Sequence, residues 1–169
     1  MPGADETFDP VPVLEHFAAA DVDFVVVRGV AGGAHGSSFA TFDVDLAYGR
    51  DAENLEKLAA VLRGLDARLR GAPPDVPFLL DAKTLAAGAN FTFATSLGPI
   101  DLLGDAAGSP PYARLRQAAT VIDVRGHPVR IASLDHLIAM KEAAGRPKDK
   151  LMATEYRALS DELRAPRDE

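Results

Sequence analysis

Two short apolar runs lie close together near the N-terminus: residues 24–28 (FVVVR) and residues 41–48 (TFDVDLAY). The first reads as a buried strand and the second as a strand carrying Asp43 and Asp45. Between them stand Gly29, Gly32, Gly33 and Gly36, followed by Ser37 and Ser38. Positions i and i+2 of a strand share a face, so Asp43 and Asp45 are expected side by side, with Val44 and Leu46 facing the packed side. Two neighbouring carboxylates in a low-dielectric cleft repel each other. Any fold for this chain must leave that pair in solvent or meet it with positive charge.

Elsewhere the spacing predicts a first helix with Pro10 and Pro12 before or within its first turn, carrying Leu14, Phe17 and Ala18. The clearest helix is expected over residues 52–70, where Leu55, Leu58, Leu62, Leu65 and Leu69 recur at steps of three and four. The segment GAPPD ends it. Residues 76–80 read as a short strand, and Asp81 caps a small helix through Leu85. Residues 90–95 and 99–103 form a hairpin around SLG, and 120–124 and 128–132 another around RGH. A short helix is expected over 111–118. Ser133 caps a helix bearing Leu134, Leu137, Ile138 and Lys141, which AGRPKD ends. A last helix over 149–163 sets Met152, Tyr156, Leu159 and Leu163 on one face. The expected fold class is α/β (α+β), a mixed β-sheet flanked by helices with helical closure at the C-terminus. Residues 1–9 read as a loose acidic leader, 10–164 as one domain, and 165–169 as a frayed tail.

Composition narrows the function. The chain has 169 residues, 18 Lys plus Arg against 25 Asp plus Glu, and a formal charge of −7. A broad nucleic-acid footprint is therefore not expected, although a local positive pocket is compatible with that balance. Cysteine is absent, which excludes disulfides, thiolate nucleophiles and Cys-based zinc sites. No run reaches membrane-spanning length and no signal-peptide pattern begins the chain, so a cytoplasmic protein without a membrane partner is the expectation.

Two readings of Asp43 and Asp45 compete: solvated acids on an open strand, or ligands of a divalent cation. Magnesium takes hard oxygen ligands, and Asp101, isolated in the apolar segment GPIDLL, is the natural third carboxylate. The glycine segment could cradle phosphate through its backbone N–H groups, with Ser37 and Ser38 as hydroxyl donors or as ordinary loop serines. It is neither a Walker loop nor a dinucleotide fingerprint. His35 lies near this pocket, either on nucleotide or stabilising the turn.

Taken together, the strand, glycine turn, Asp-x-Asp pair and later strand carboxylate resemble the nucleotidyltransferase fold superfamily. Phe24 to Asp45, with Ala31, His35-Gly36, Thr41 and Asp43-Val44-Asp45, is similar to small bacterial minimal nucleotidyltransferases and AbiEii-type toxins. So is LIAMKEAAGRPKD, residues 137–149. The resemblance implies Asp43, Asp45 and Asp101 as the catalytic, metal-binding acids, with Mg²⁺ (or Mn²⁺) and a nucleoside triphosphate as the bound species. It places Gly29 as the second turn glycine and puts Arg28 where the family has the first, either obstructing nucleotide or contacting phosphate. Lys141 and Lys148 match basic positions, with Lys141 reaching a phosphate and Asp149 capping a helix or pairing with a nearby cation. The implied reaction is transfer of a nucleoside monophosphate to an acceptor hydroxyl, phosphate or amine. That acceptor is a protein, a tRNA or a small molecule. Two alternatives stay open: a catalytically impaired nucleotide-binding or regulatory protein of the same fold, and a toxin–antitoxin interaction protein. Short helices and alanine-rich faces leave apolar surface for a homodimer or a cognate protein partner.

Overall fold

The computed structural model describes residues 8–73 and 75–166. The leader expected over residues 1–9 lies outside them except for Phe8 and Asp9, and the tail except for Ala165 and Pro166. Asp9 Oδ1 accepts from the Val11 amide at 3.0 Å, so the chain is already anchored there.

The elements run α1 (Val11–Ala19), β1 (Phe24–Val27), α2 (Arg28–Ala34), β2 (Val44–Tyr48), α3 (Ala52–Gly64), β3 (Arg68–Leu69), α4 (Ala82–Ala87), β4 (Asn90–Thr95), β5 (Gly98–Leu103), α5 (Tyr112–Ala118), β6 (Thr120–Val124), β7 (His127–Ile131), α6 (Leu134–Ala144) and α7 (Pro147–Arg164). All seven strands form one sheet in the order β3-β4-β5-β2-β1-β7-β6. β1 pairs antiparallel with β2 and parallel with β7, and β2 pairs parallel with β5. The two hairpins β4–β5 and β6–β7 extend the sheet to either side. The result is the expected mixed sheet flanked by helices, with α6 and α7 at the C-terminal end. Among the described residues, no helix is long and apolar enough to cross a membrane.

The central strands are buried along their whole length, which explains their near-continuous apolar sequence. α3 lays Leu55, Leu58 and Leu62 into the core and is capped by Asp51, whose side chain accepts from the Asn54 amide. α6 is capped by Ser133 and ends at Gly145, which takes the left-handed φ of +69° common at helix C-termini.

Five expectations need correction. The helix expected over 52–70 stops at Gly64, because Asp66 adopts φ +53° and turns the chain back, so that Arg68–Leu69 form β3 instead. Leucine spacing alone could not show this, since Leu65 remains buried beyond the helix end. The strand expected over 76–80 is absent: that segment is irregular, and Val76 and Leu79 face solvent. The strand expected from 41 begins at Val44, so Asp43 sits just before β2 rather than in it. The glycine segment is mainly the short helix α2 rather than an open turn. Glycine is a poor helix former, and packing decides here. A Cβ on Gly32 would collide with the Tyr156 hydroxyl of α7, so the missing side chain lets α7 press onto α2. At the far end of α7, Leu163 is exposed rather than on the packed face.

The Tyr156 hydroxyl is buried and finds no hydrogen-bond partner among the described residues. Gly32→Ala is therefore expected to destabilise the fold by about 1–3 kcal/mol, outweighing the helix propensity that alanine adds. Adding Tyr156→Phe should recover part of that loss, since it removes both the nearest clashing atom and an unpaired polar group. Chemical denaturation of the single and double variants measures both.

Candidate active site

Sheet register builds the site. Val27 on β1 lies opposite Asp45 on β2, Asp45 opposite Asp101 on β5, and Asp101 opposite Thr92 on β4. Arg70, just past β3, joins the same row through its amide, which donates to the Thr92 carbonyl at 2.9 Å. Directly opposed residues on neighbouring strands share a face, so Asp45 and Asp101 are forced together. They are 3% and 6% exposed, inside strands that are otherwise apolar. Asp43 reaches them from the loop before β2, and one carboxylate oxygen from each of the three lies within 4.8 Å of the other two.

Thr41 holds that loop. Its hydroxyl donates to the Asp43 carbonyl at 3.1 Å, and a Cβ on Gly29 would meet its Oγ1 at 2.8 Å. Gly29 thus lets the loop carrying Asp43 lie against the start of α2. Arg28, which leads into α2, adopts φ +59°, a conformation costing a non-glycine residue about 1–2 kcal/mol. Its guanidinium stands 3.7 Å from Asp45 Oδ1. Arg70 Nη2 donates to Asp101 Oδ1 at 2.7 Å.

The charge balance around Asp45 is unfavourable to ionisation. Burial pushes its pKa up to about 7, the Asp43 and Asp101 carboxylates push in the same direction, and Arg28 opposes them. Asp45 Oδ1 is buried without a hydrogen-bond partner among the described residues. Three converging carboxylates, one with an unpartnered buried oxygen, form a hard-oxygen set able to hold a divalent cation.

Facing the carboxylates across a cleft of about 470 Å³ are Lys141, Arg146 and Lys148. This basic wall is organised by Asp149, which is 1% exposed. Its carboxylate accepts from Arg146 Nε at 2.7 Å and from Lys141 Nζ at 3.4 Å. Those bonds, Arg146's foremost, hold its carboxyl below the usual range despite burial. Asp149 also accepts from the Arg146 amide at 3.3 Å, capping α7 at its first turn. Phe42 stands on the rim with 72% of its surface exposed.

The structure thus brings Arg28, Gly29, Asp43, Asp45, Asp101 and Lys141 together, with Lys148 beside them. It does not bring Ser37 and Ser38 into the cleft lining. Ser38 donates from its amide and its hydroxyl to Glu155 on α7, each at 3.1 Å, and the Ser37 hydroxyl accepts from the Phe39 amide. His35 Nε2 donates to the Ala132 carbonyl at 2.8 Å, tying the end of α2 to the end of β7. Arg70 and Arg146 went unrecognised in the sequence. Arg146 lies in a segment that reads as a helix terminator, and Arg70 in one that reads as the end of a helix. No sequence signal marks Arg70, because only the β3–β4 register sets it beside Asp101.

No protein-family model matches the chain, and no curated protein matches it in sequence. Solved structures do. The lincosamide antibiotic adenylyltransferase LnuA, in its lincomycin-bound form, superposes with a TM-score of 0.58 at 10% identity, covering 92% of this chain and 99% of LnuA. A Thermotoga maritima protein described as a candidate nucleotidyltransferase gives 0.53 at 13% identity, over 94% and 98%. An antigenic nucleotidyltransferase-like protein of Paracoccidioides brasiliensis gives 0.52 at 16%, over 93% and 75%. The chain thus shares its fold with these solved structures, and on that fold Asp43, Asp45 and Asp101 form a carboxylate cluster able to hold a divalent cation.

The raised pKa of Asp45 has a consequence for stability. In the unfolded chain Asp45 titrates near 4; in the fold it keeps its proton until about 7. The folded state then binds more protons than the unfolded state across that interval, so Asp45 makes the metal-free fold lose stability as pH rises through it. With EDTA present, the melting temperature is expected to fall between pH 5 and 8 by the equivalent of a few kcal/mol at most. Asp45→Asn should flatten that fall. Asp149 titrates below this window and does not contribute to it.

Proposed function

We propose that the chain is a Mg²⁺-dependent nucleotidyltransferase that moves a nucleoside monophosphate from a nucleoside triphosphate to an acceptor. The convergence of Asp43, Asp45 and Asp101, with Asp45 Oδ1 left unpartnered, carries this reading. Asp43 and Asp45 would hold the nucleotide-associated ion, and Asp101 would complete the set or take the acceptor proton. Mg²⁺ there would polarise the α-phosphoryl group and lower the acceptor's pKa. Lys141, Arg146 and Lys148 receive the triphosphate tail, and Gly29 lets phosphate approach the backbone closely. The acceptor oxygen or nitrogen attacks the α-phosphorus, the bond to the β-phosphate bridging oxygen breaks, and pyrophosphate leaves carrying charge that the basic wall offsets.

LnuA is by name an adenylyltransferase of a lincosamide antibiotic. A small hydroxyl-bearing acceptor suits this chain better than tRNA, because its net charge of −7 opposes a polyanion outside the cleft. Arg28 supports a second reading, a nucleotide-binding protein impaired in turnover. Its guanidinium lies beside Asp45, where it competes with a cation.

Calorimetry against the four ribonucleoside triphosphates, with and without Mg²⁺, tests binding. Asp45→Asn is expected to weaken Mg²⁺-dependent binding about tenfold or more, with the circular dichroism spectrum unchanged. Incubation with α-labelled triphosphate and a panel of hydroxyl-bearing small molecules should transfer label to the acceptor. If wild-type protein binds no triphosphate at millimolar concentration with either Mg²⁺ or Mn²⁺, the nucleotide reading is wrong. Arg28→Gly separates the two readings. Transfer that rises in this variant, and is absent from wild type, favours the impaired protein; weakened triphosphate binding makes Arg28 a phosphate contact.

A further inference from the structure

The two arginines beside the carboxylates are not equivalent. Arg28 stands 3.7 Å from Asp45 without forming a hydrogen bond, and Asp45 Oδ1 stays unpartnered. Arg70 makes a charge-assisted hydrogen bond of 2.7 Å to Asp101, whose side chain is 9% exposed. The Asp43–Asp45 side of the cluster is thus open to a cation, while the Asp101 side already holds one. Arg70 also lines the same cleft as Lys141, Arg146 and Lys148, and its own side chain is 38% exposed. A planar guanidinium matches phosphate as well as carboxylate, so a triphosphate in the cleft offers Arg70 an alternative partner.

We propose that Arg70 is a positioning residue: it holds Asp101 in the nucleotide-free protein and yields it to a second divalent cation once a triphosphate draws the guanidinium away. The site therefore fills in order, with one ion on Asp43 and Asp45 and a second only alongside phosphate. The benefit is chemical. A site with both ions but no nucleotide would activate water or a stray acceptor to no purpose, whereas Arg70 ties completion of the site to arrival of the phosphoryl donor. The inference rests on the nucleotide reading above and goes beyond it, since three clustered carboxylates alone do not set an order of filling.

Equilibrium dialysis of the full chain against Mn²⁺, followed by metal analysis, counts bound ions. Inorganic tripolyphosphate serves as the second probe, because it carries the donor's phosphate charges without depending on a base preference; its own Mn²⁺ is counted in a protein-free control. Wild type is expected to bind one Mn²⁺ alone and two with tripolyphosphate. Arg70→Gln, which removes the charge while leaving a shorter polar side chain, should bind two without tripolyphosphate. Its second-site affinity should rise about tenfold, the scale of losing one competing charge contact. Arg70→Lys should restore the one-ion state, which a merely structural role would not predict. Circular dichroism confirms that each variant is folded; should Arg70→Gln unfold, Arg70→Lys with a count above one alone overturns the proposal. Two ions on wild type without tripolyphosphate, or an Arg70→Gln count identical to wild type, also overturns it while leaving the nucleotide reading intact. No Mn²⁺ on wild type under either condition overturns both.

Discussion

Asp45 and Asp101 are buried next to each other by the register of two parallel strands, and much of the surrounding structure answers that contact. A pair of carboxylates in a low-dielectric position is costly unless charge or hydrogen bonds compensate. Arg28 approaches one and Arg70 bonds the other, from opposite ends of a row that crosses the sheet. The compensation is incomplete on the Asp45 side, where an oxygen remains without a partner and ionisation is held back to about pH 7. A stable core would not keep such a group. Its persistence inside strands built from Val, Leu and Ile marks a place where binding is the better explanation than folding.

The C-terminal helices supply the opposite wall. α6 delivers Lys141, and the N-cap and first turn of α7 deliver Arg146 and Lys148, so the cleft has an acidic floor on the sheet and a basic side on the helices. Asp149 joins these parts by capping α7 and binding both Lys141 and Arg146, so one buried carboxylate shapes the backbone and spaces the cations. Contacts from the glycine segment keep the two walls in register. Gly32 admits Tyr156, and Glu155 binds Ser38. Ser37 and Ser38 thus connect α7 to the segment before β2, which is a different task from holding a ligand in the cleft.

Much of the architecture was legible because it is local. Apolar runs, Asp and Ser caps, hairpin turns and the leucine face of α3 each depend on residues within a few positions of one another, and apart from the absent strand over 76–80 and the early end of α3 the elements they predict are present with small shifts at their ends. The failures have local causes of another kind. Asp66 and Arg28 take left-handed backbone conformations that their residue types do not advertise, ending α3 early and starting α2 where a loop was expected. The helical state of the glycine segment depends on Val30 and Ala31 being buried and on Gly32 meeting Tyr156, about 120 residues away in the chain.

By itself, the sequence determined that Asp45 lies in one buried strand and Asp101 in another, and that the chain mixes hairpins with helices, although it carried the first strand too far back and so included Asp43 in it. Period-two geometry and apolar continuity suffice for that. Only the tertiary structure decided that β2 and β5 are neighbours, that their register sets Asp45 against Asp101, and that Arg70, just past β3, falls on the same row. The pairing of Asp149 with Arg146 and Lys141, by contrast, joins near neighbours in the chain and was open to a local reading. Strand order and register follow from how the whole core closes, so residues distant in the chain meet for reasons no local pattern contains. The acids and Arg28 could be read along the chain, whereas Arg70, which bonds Asp101, could be found only across the sheet.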